Sequence, residues 1–194
     1  MRRLVGLAAA IAATQMMAGC GPPPKPLHQW AMGADASSYA ADPSRPGAFS
    51  AASAIGPADV MACGDNPNAW APASANPGVA GPDDYLELTY QRYVRVSDLY
   101  IYESYNPGGI VAVDLIASDA SSPTATIFDN PAGDGASVGC PTVYHLSIDQ
   151  GTTPGYYNRV RIYIDSDITG DTNGINGLAD DYNEIDAVEL VGRR

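Results

Sequence analysis

The stretch Tyr85-Leu86-Glu87-Leu88-Thr89-Tyr90 decides the fold of this chain. Its side chains alternate, so Leu86, Leu88 and Tyr90 share one face, as in a half-buried β-strand. Further short stretches rich in β-forming residues follow, each bounded by glycine, proline or aspartate. They cover residues 94–102, 110–116, 124–128, 142–148, 159–164 and 185–191. Because no helical pattern separates them, they predict an all-β fold with antiparallel strands, a sandwich or a barrel.

Residues 30–82 lack such runs and are rich in alanine, glycine, proline and serine. Large side chains nevertheless recur there, which a linker does not need. They are Trp30, Tyr39, Phe49, Val60 and Trp70. We therefore predict an irregular but folded segment, with a turn or two of helix at 50–56, and one domain over residues 30–194.

Composition excludes several classes of protein. The 194 residues include 20 glycines and 16 prolines but only 16% charged residues, which is unlike a coiled coil or a long helical bundle. The net charge of −12 argues against nucleic acid, which requires a basic face. An apolar content of 45% argues against disorder.

Residues 1–19 have the pattern of a targeting leader, with Arg2 and Arg3 before a short apolar run. The run ends in Met17-Ala18-Gly19-Cys20, which resembles the lipobox of bacterial lipoproteins; an ordinary secretory leader is the alternative. The resemblance implies that Cys20 carries the lipid that anchors the protein to the membrane, and Gly21 after it favours the outer membrane. Residues 20–29 then form a proline-rich spacer.

Cys63 and Cys140 are the remaining cysteines. Outside the cytoplasm an even pair predicts a disulfide bond, although two free buried thiols would also fit the sequence. A bond between them would close a long loop and so stabilise the fold by about 4 kcal/mol.

Four segments resemble galactose-binding-like, or discoidin-type, jelly-roll domains. They are Ala36–Tyr39, Ser50–Val60, Ile101–Gly108 and Asn183–Gly192. The third contains a tyrosine-glutamate pair and an asparagine-proline-glycine turn, and the fourth reads Glu-Ile-Asp-Ala-Val-Glu-Leu. The resemblance implies an antiparallel β-sandwich that binds rather than catalyses. Glycans are the commonest ligands of that family, with phospholipid headgroups and proteins also represented, and many members hold a structural calcium ion.

A polar insert at 165–182 departs from that family pattern. Six acidic residues in and after it are candidate calcium ligands: Asp165, Asp167, Asp171, Asp180, Asp181 and Glu184. The insert begins like an EF-hand loop but has Asn176 at the twelfth position. Clustered carboxylates repel one another unless a cation compensates them, which favours calcium. A solvated acidic loop is the alternative.

Two groups of residues are candidates for binding a glycan. Asp65, Asn66, Asn68 and Trp70 form a polar loop that ends in an aromatic ring, which either stacks on a sugar or fills the core. Tyr156 and Tyr157 follow a proline-glycine turn and are predicted at a loop edge. Tyrosines 100, 102 and 105 form either a stacking face or cross-strand packing.

Nothing in the sequence marks a catalytic centre. The chain has two histidines, His28 and His145, and no nucleophile-elbow motif. We therefore predict a monomeric, non-catalytic lipoprotein module that recognises glycans, with calcium assisting. The alternative is a structural lipoprotein that docks on an envelope protein.

Overall fold

The structure is a computed structural model, described here for residues 25–73, 84–134, 139–165 and 183–194. Within these ranges the chain forms eight β-strands, one short 3₁₀ helix at Ala51–Ala54 and no α-helix. The strands are β1 Leu27–Trp30, β2 Gly33–Ala36, β3 Asp84–Tyr105, β4 Ile110–Ile116, β5 Ala125–Asp129, β6 Thr142–Ser147, β7 Tyr157–Ile164 and β8 Glu184–Arg193. In these residues no helix is long and apolar enough to span a bilayer.

All strand pairs are antiparallel and form two sheets. Sheet A has the order β1-β8-β3-β6, and sheet B has the order β2-β3-β7-β4-β5. The long strand β3 belongs to both, since Asp84–Thr89 pairs with β7 in sheet B and Arg95–Tyr105 pairs with β8 in sheet A. The register shifts between Thr89 and Val94, where the strand passes from one sheet to the other. The fold is thus the antiparallel jelly-roll sandwich that the sequence predicts.

The hydrophobic core lies between the two sheets. Leu86, Leu88 and Tyr90 are buried on the inner face of β3, as their alternation predicts. Leu99 and Ile101 are buried on the second half of the same strand. Each such side chain contributes about 1.5–3 kcal/mol when it leaves water. The 3₁₀ turn ends at Ala54, because Ile55 after it is extended and Gly56, two residues after the turn, has a φ of +96°.

The predicted strands after residue 84 match the structure closely, and β4 occupies 110–116 as predicted. The N-terminal prediction needs two corrections. The spacer predicted at 20–29 overlaps β1 Leu27–Trp30. This strand pairs antiparallel with β8, from Leu27 opposite Gly192 to Trp30 opposite Glu189. The segment predicted as irregular contains β2, which pairs with the first half of β3.

Candidate binding site

Sheet A places aromatic and acidic side chains in one row across its four strands. Trp30 of β1 lies opposite Glu189 of β8. Tyr100 of β3 lies opposite Glu189 on one side and His145 of β6 on the other. The neighbours of Tyr100 in β3 are buried in the core, and alternate residues of a strand point to opposite faces. The row therefore lies on the outer face of the sandwich.

Tyr102 joins this row through its ring contacts. Its ring centroid lies 5.5 Å from that of Trp30, with the planes tilted by 52°. The rings of Tyr100 and His145 stack with centroids 4.4 Å apart and planes 6° apart. We call Trp30, Tyr100, Tyr102, His145 and Glu189 the aromatic face. The tyrosines and the tryptophan are half-buried, so part of each ring remains accessible.

A cavity of about 330 Å³ borders the aromatic face at Tyr102. Apolar side chains make up most of its wall, while the carboxylates of Glu103 and Asp186 and several hydroxyl groups supply its polar positions. Its lining includes Val60, Met61, Tyr102, Thr142, Val143 and Asp186. Met61 is 82% exposed, so the cavity opens to solvent on that side. A concave apolar site with a few aimed polar groups is the usual form of a small-ligand site.

The carboxylate of Asp186 is fixed in the cavity wall by backbone donors. Its Oδ2 accepts hydrogen bonds from the N–H of Asp59 at 2.9 Å and of Val60 at 3.1 Å. Burial raises its pKa above the ordinary aspartate value, and the nearby Asp59 charge adds to this effect. The group is therefore oriented by the fold before any ligand arrives.

The surroundings of Tyr102 favour its neutral, protonated hydroxyl. Burial raises the pKa of Tyr102, and the Glu189 carboxylate and the Tyr100 hydroxyl raise it further. Glu189 also pairs with His28, whose Nδ1 lies 2.8 Å from its Oε1. At neutral pH Tyr102 thus offers both a ring face and a hydroxyl donor beside the cavity.

The family profile for the C-terminal SD scarf domain of pappalysin-1 matches residues 22–194. The chain belongs to this scarf-domain family. No curated protein matches the sequence of this scarf domain at a significant level.

Among solved structures, the scarf domain is similar to the family 32 carbohydrate-binding module of NanJ from C. perfringens, determined in complex with galactose. The TM-score is 0.51 at 16% identity, over 85% of this chain and 99% of that chain. It is also similar to a truncated AlyQ with CBM32 and alginate lyase domains, with a TM-score of 0.51 at 14% identity, over 88% of this chain and 35% of that chain. The scarf domain thus spans about a third of the AlyQ chain. The galactose-binding-like fold read from the sequence is confirmed.

The loop predicted to bind a glycan, residues 65–70, is partly exposed and partly buried in the core. Asp65 and Asn68 are exposed, and the backbone N–H of Asn66 donates to the Glu184 carboxylate. Trp70 is fully buried, and its Nε1 donates to the Ser38 carbonyl at 3.0 Å. The prediction that the Trp70 ring stacks on a sugar is therefore wrong, and the alternative, a core residue, is what the fold uses.

The second predicted pair also divides between surface and core. Tyr156 is 43% exposed, whereas Tyr157 is 1% exposed and pairs with Val94 in the interior. Of this pair, only Tyr156 can offer a ring face to a ligand. The pair lies far from the Asp65 loop. Tyr157 pairs with Val94, which lies beside the C-terminal end of β8, whereas the Asp65 loop contacts Glu184 at the start of β8.

Of the predicted calcium ligands, Asp167, Asp171, Asp180 and Asp181 lie outside the described residues, and the calcium site in the insert stays a prediction. The backbone N–H of Asp165 donates to the Gly109 carbonyl at 2.8 Å.

Glu184 is fully buried and accepts a hydrogen bond from the Ser104 hydroxyl at 3.1 Å. Burial raises its pKa to about 8. Within the described ranges, no three histidine, cysteine or acidic side chains form a metal-binding group.

Cys63 and Cys140 form a disulfide bond in the structure, with their Cα atoms 5.0 Å apart. The bond joins the Asp65 loop to the start of β6, where Pro141 and Thr142 line the cavity. It therefore holds one wall of the candidate site in place.

Sequence reasoning noted Tyr100 and Tyr102 but missed their partners on the aromatic face. In the sequence Trp30 stands out only as a recurring large side chain of residues 30–82, and Glu189 only as part of the segment Asn183–Gly192. Tyr105, grouped with the tyrosines in the sequence, pairs instead with Glu184 after two register shifts. A signal for Glu189 existed, since it alternates with the inward-facing residues of β8.

Proposed function

We propose that this scarf domain is a non-catalytic module that binds a glycan at the aromatic face and its cavity. The observation that carries the proposal is the position of Tyr102. Its half-buried ring contacts Trp30 on one side and lines the cavity that contains Asp186 on the other. An aromatic ring beside a fixed carboxylate at a concave surface offers a sugar both a stacking face and a hydrogen-bond acceptor.

The chemistry of a sugar fits both parts of this surface. The C–H groups on one face of a pyranose ring are apolar and pack on aromatic rings, whereas its hydroxyls require hydrogen-bond partners. Trp30 and Tyr102 supply the rings. The carboxylate of Asp186 and the hydroxyl groups of Tyr102 and Thr142 supply partners at the cavity wall. The galactose complex of the similar NanJ module supports the same class of ligand.

A second candidate function is docking on an envelope protein. The row from Trp30 to His145 crosses four strands and is flatter than the cavity, as a protein interface would be. The carboxylates of Glu189 and Asp98 would then face basic groups of the partner. We favour the glycan because the cavity adds a concave polar site that a flat interface does not need.

A glycan array tests the proposal. The purified full chain carrying Cys20→Ser, which prevents acylation, is applied with calcium and again with chelator. The expected result is reproducible binding to a related set of glycans. Tyr102→Ala should abolish this binding. Tyr156→Ala, which removes another accessible tyrosine, is the control and should bind like the wild type. A blank array from a folded sample would reject glycan binding and favour the docking alternative.

We also propose that Cys20 is acylated and that the protein is anchored in the bacterial cell envelope, with the outer membrane favoured. The support is the lipobox-like sequence Met17-Ala18-Gly19-Cys20 and the Gly21 that follows it. Two acyl chains suffice for stable anchoring. Cells fed labelled palmitate should label the wild-type protein and not Cys20→Ser. Label on both proteins would contradict the proposal.

A further inference from the structure

Met61 combines an exposed side chain with a position in the wall of the cavity. It is the most exposed of the large apolar residues in the described part of the chain, at 82%. It lines the same cavity as Tyr102 and Asp186. Its thioether can therefore be reached both by a ligand in the cavity and by a small reagent in the solvent.

The backbone on both sides of Met61 is attached to the rest of the fold. One residue before it, the Val60 N–H donates a hydrogen bond to Asp186 Oδ2 of β8 at 3.1 Å. Two residues after it, Cys63 forms the disulfide bond with Cys140, which precedes β6. Because both flanks of this short segment are fixed, the Met61 side chain stays at the open side of the cavity.

The wall beside Met61 is apolar. It is formed by the side chains of Ala58, Val60, Pro141 and Val143. A thioether suits such a wall, since methionine is flexible, polarisable and apolar. A sulfoxide is a polar group, and moving a polar group from water to apolar surroundings is costly unless it gains a hydrogen bond there. The oxidation state of the sulfur thus decides whether Met61 can close on a ligand or remains in the solvent.

Oxidation of methionine requires an accessible sulfur and a peroxide. The sulfur lone pair attacks one oxygen of hydrogen peroxide, so that a sulfur–oxygen bond forms and the oxygen–oxygen bond breaks. The departing hydroxide takes the proton from the transferred oxygen and leaves as water. The sulfur loses two electrons and the peroxide gains them. The disulfide bond of Cys63 is typical of proteins in oxidising compartments, where such a reagent is not removed by cytosolic thiols.

We propose that Met61 is an oxidation site, with a peroxide as the oxidant, that controls ligand binding at the cavity. The proposal rests on the glycan function proposed above. The reduced side chain packs on the ligand beside Tyr102, and the sulfoxide does not. Oxidation should weaken binding about fourfold, the factor that burial of one methylene-sized apolar group contributes. Because enzymes reduce methionine sulfoxide back to methionine, the change is reversible.

Met32 provides a matched comparison within the same chain. It is 61% exposed and is not among the described residues that line the cavity. It lies between β1 and β2, where its backbone N–H donates to the Thr89 carbonyl at 2.9 Å. Peroxide should therefore oxidise both methionines, but only the oxidation of Met61 should affect the cavity.

A readout without any glycan separates this proposal from the proposed function. The full chain carrying Cys20→Ser is treated with hydrogen peroxide, and NMR follows the labelled Cζ carbon of Tyr102. Because Met61 and Tyr102 line one cavity, the signal should shift in the treated chain and stay in place when Met61→Leu is also present. A shift in a chain that binds no array glycan would support the oxidation site and reject the glycan as its ligand. An unchanged signal with Met61 oxidised would overturn the proposal.

Peptide mass spectrometry and titration calorimetry with the best array glycan complete the test. Mass spectrometry should find the sulfoxide at both Met61 and Met32. Peroxide should weaken binding about fourfold in the wild type and in Met32→Leu, and methionine sulfoxide reductase should restore it. Met61→Leu keeps an apolar side chain of similar size, so its binding should match that of the wild type and should not respond to peroxide. A Met61 that stays reduced while Met32 is oxidised, or an equal loss of affinity in Met61→Leu, would overturn the proposal.

Discussion

Trp30 and Tyr102 meet on the outer face of sheet A with their ring centroids 5.5 Å apart, although β1 and β3 do not pair with each other as strands. The contact exists because β1 pairs with β8 and β8 pairs with β3, so two registers bring the rings together. Tyr102 also lines the cavity. One contact therefore connects the strand order of the fold to the proposed binding site.

The Glu189 carboxylate should control the ionisation of Tyr102. Because this negative charge disfavours the phenolate, Glu189→Gln should lower the pKa of Tyr102 toward the ordinary tyrosine value. A pH titration followed by NMR of the labelled tyrosine Cζ carbon measures it. Asp114→Asn on sheet B is the control and should leave Tyr102 unchanged. A pKa that does not move in Glu189→Gln would show that Glu189 is not an effective neighbour.

Asp186 should make stability depend on pH in a defined direction. Its pKa is raised in the folded chain, so the fold favours its neutral form. This contribution is full below the unfolded pKa of about 3.9 and is lost as pH rises through the raised folded value. The free energy of unfolding of the wild type, relative to Asp186→Asn, should therefore fall as pH rises from about 4. Urea unfolding at several pH values measures this difference, and parallel profiles would contradict it.

Gly192 should resist substitution because the neighbouring strand β3 approaches it closely. A Cβ there would lie 2.5 Å from the Arg95 carbonyl oxygen and 2.8 Å from a Val94 methyl carbon. Gly192→Ala should thus destabilise the fold by about 1–3 kcal/mol in chemical unfolding. Gly33→Ala is the matched control, because its Cβ would only touch Thr89 at 3.7 Å. Similar stability of the two variants would refute the close approach.

The disulfide should contribute substantially to stability. Cys63→Ser with Cys140→Ser removes a cross-link between residues 77 positions apart, which is expected to cost about 4 kcal/mol. Urea unfolding of the double variant measures the loss. Reductant should reproduce it in the wild type and do nothing to the variant. A loss below about 1 kcal/mol would mean that the bond closes no costly loop.

The strands that sequence predicts well are those with a local signal. β4 has its predicted bounds because its valines and isoleucines alternate between flanking breakers. β2, in contrast, consists of Gly33-Ala34-Asp35-Ala36, which has little strand propensity and forms because β3 offers it a partner. β1 follows a proline-rich stretch and resembles a spacer in sequence, and it becomes a strand because it pairs with β8. Both β1 and β2 form because they pair with a distant strand, and such long-range pairing is not evident from a single sequence.

The site was harder to predict than the fold for the same reason. Tyr100 and Tyr102 were visible as an alternating pair, but their neighbour Trp30 depends on β1 lying against β8. Trp70 has the sequence context of a binding loop, yet the backbone bridge to Ile185 draws it into the core. Local sequence identified candidate aromatic residues and could not say which of them face solvent.

Titration calorimetry with the best array glycan tests whether the ligand binds at the aromatic face. Wild type, Trp30→Ala, Tyr102→Ala and the control Tyr156→Ala are compared at equal folded concentration. If the glycan stacks on these rings, each of the first two substitutions should weaken binding at least tenfold, and the control should bind like the wild type. Unchanged affinity in Trp30→Ala and Tyr102→Ala, with both variants folded, would contradict binding at the aromatic face.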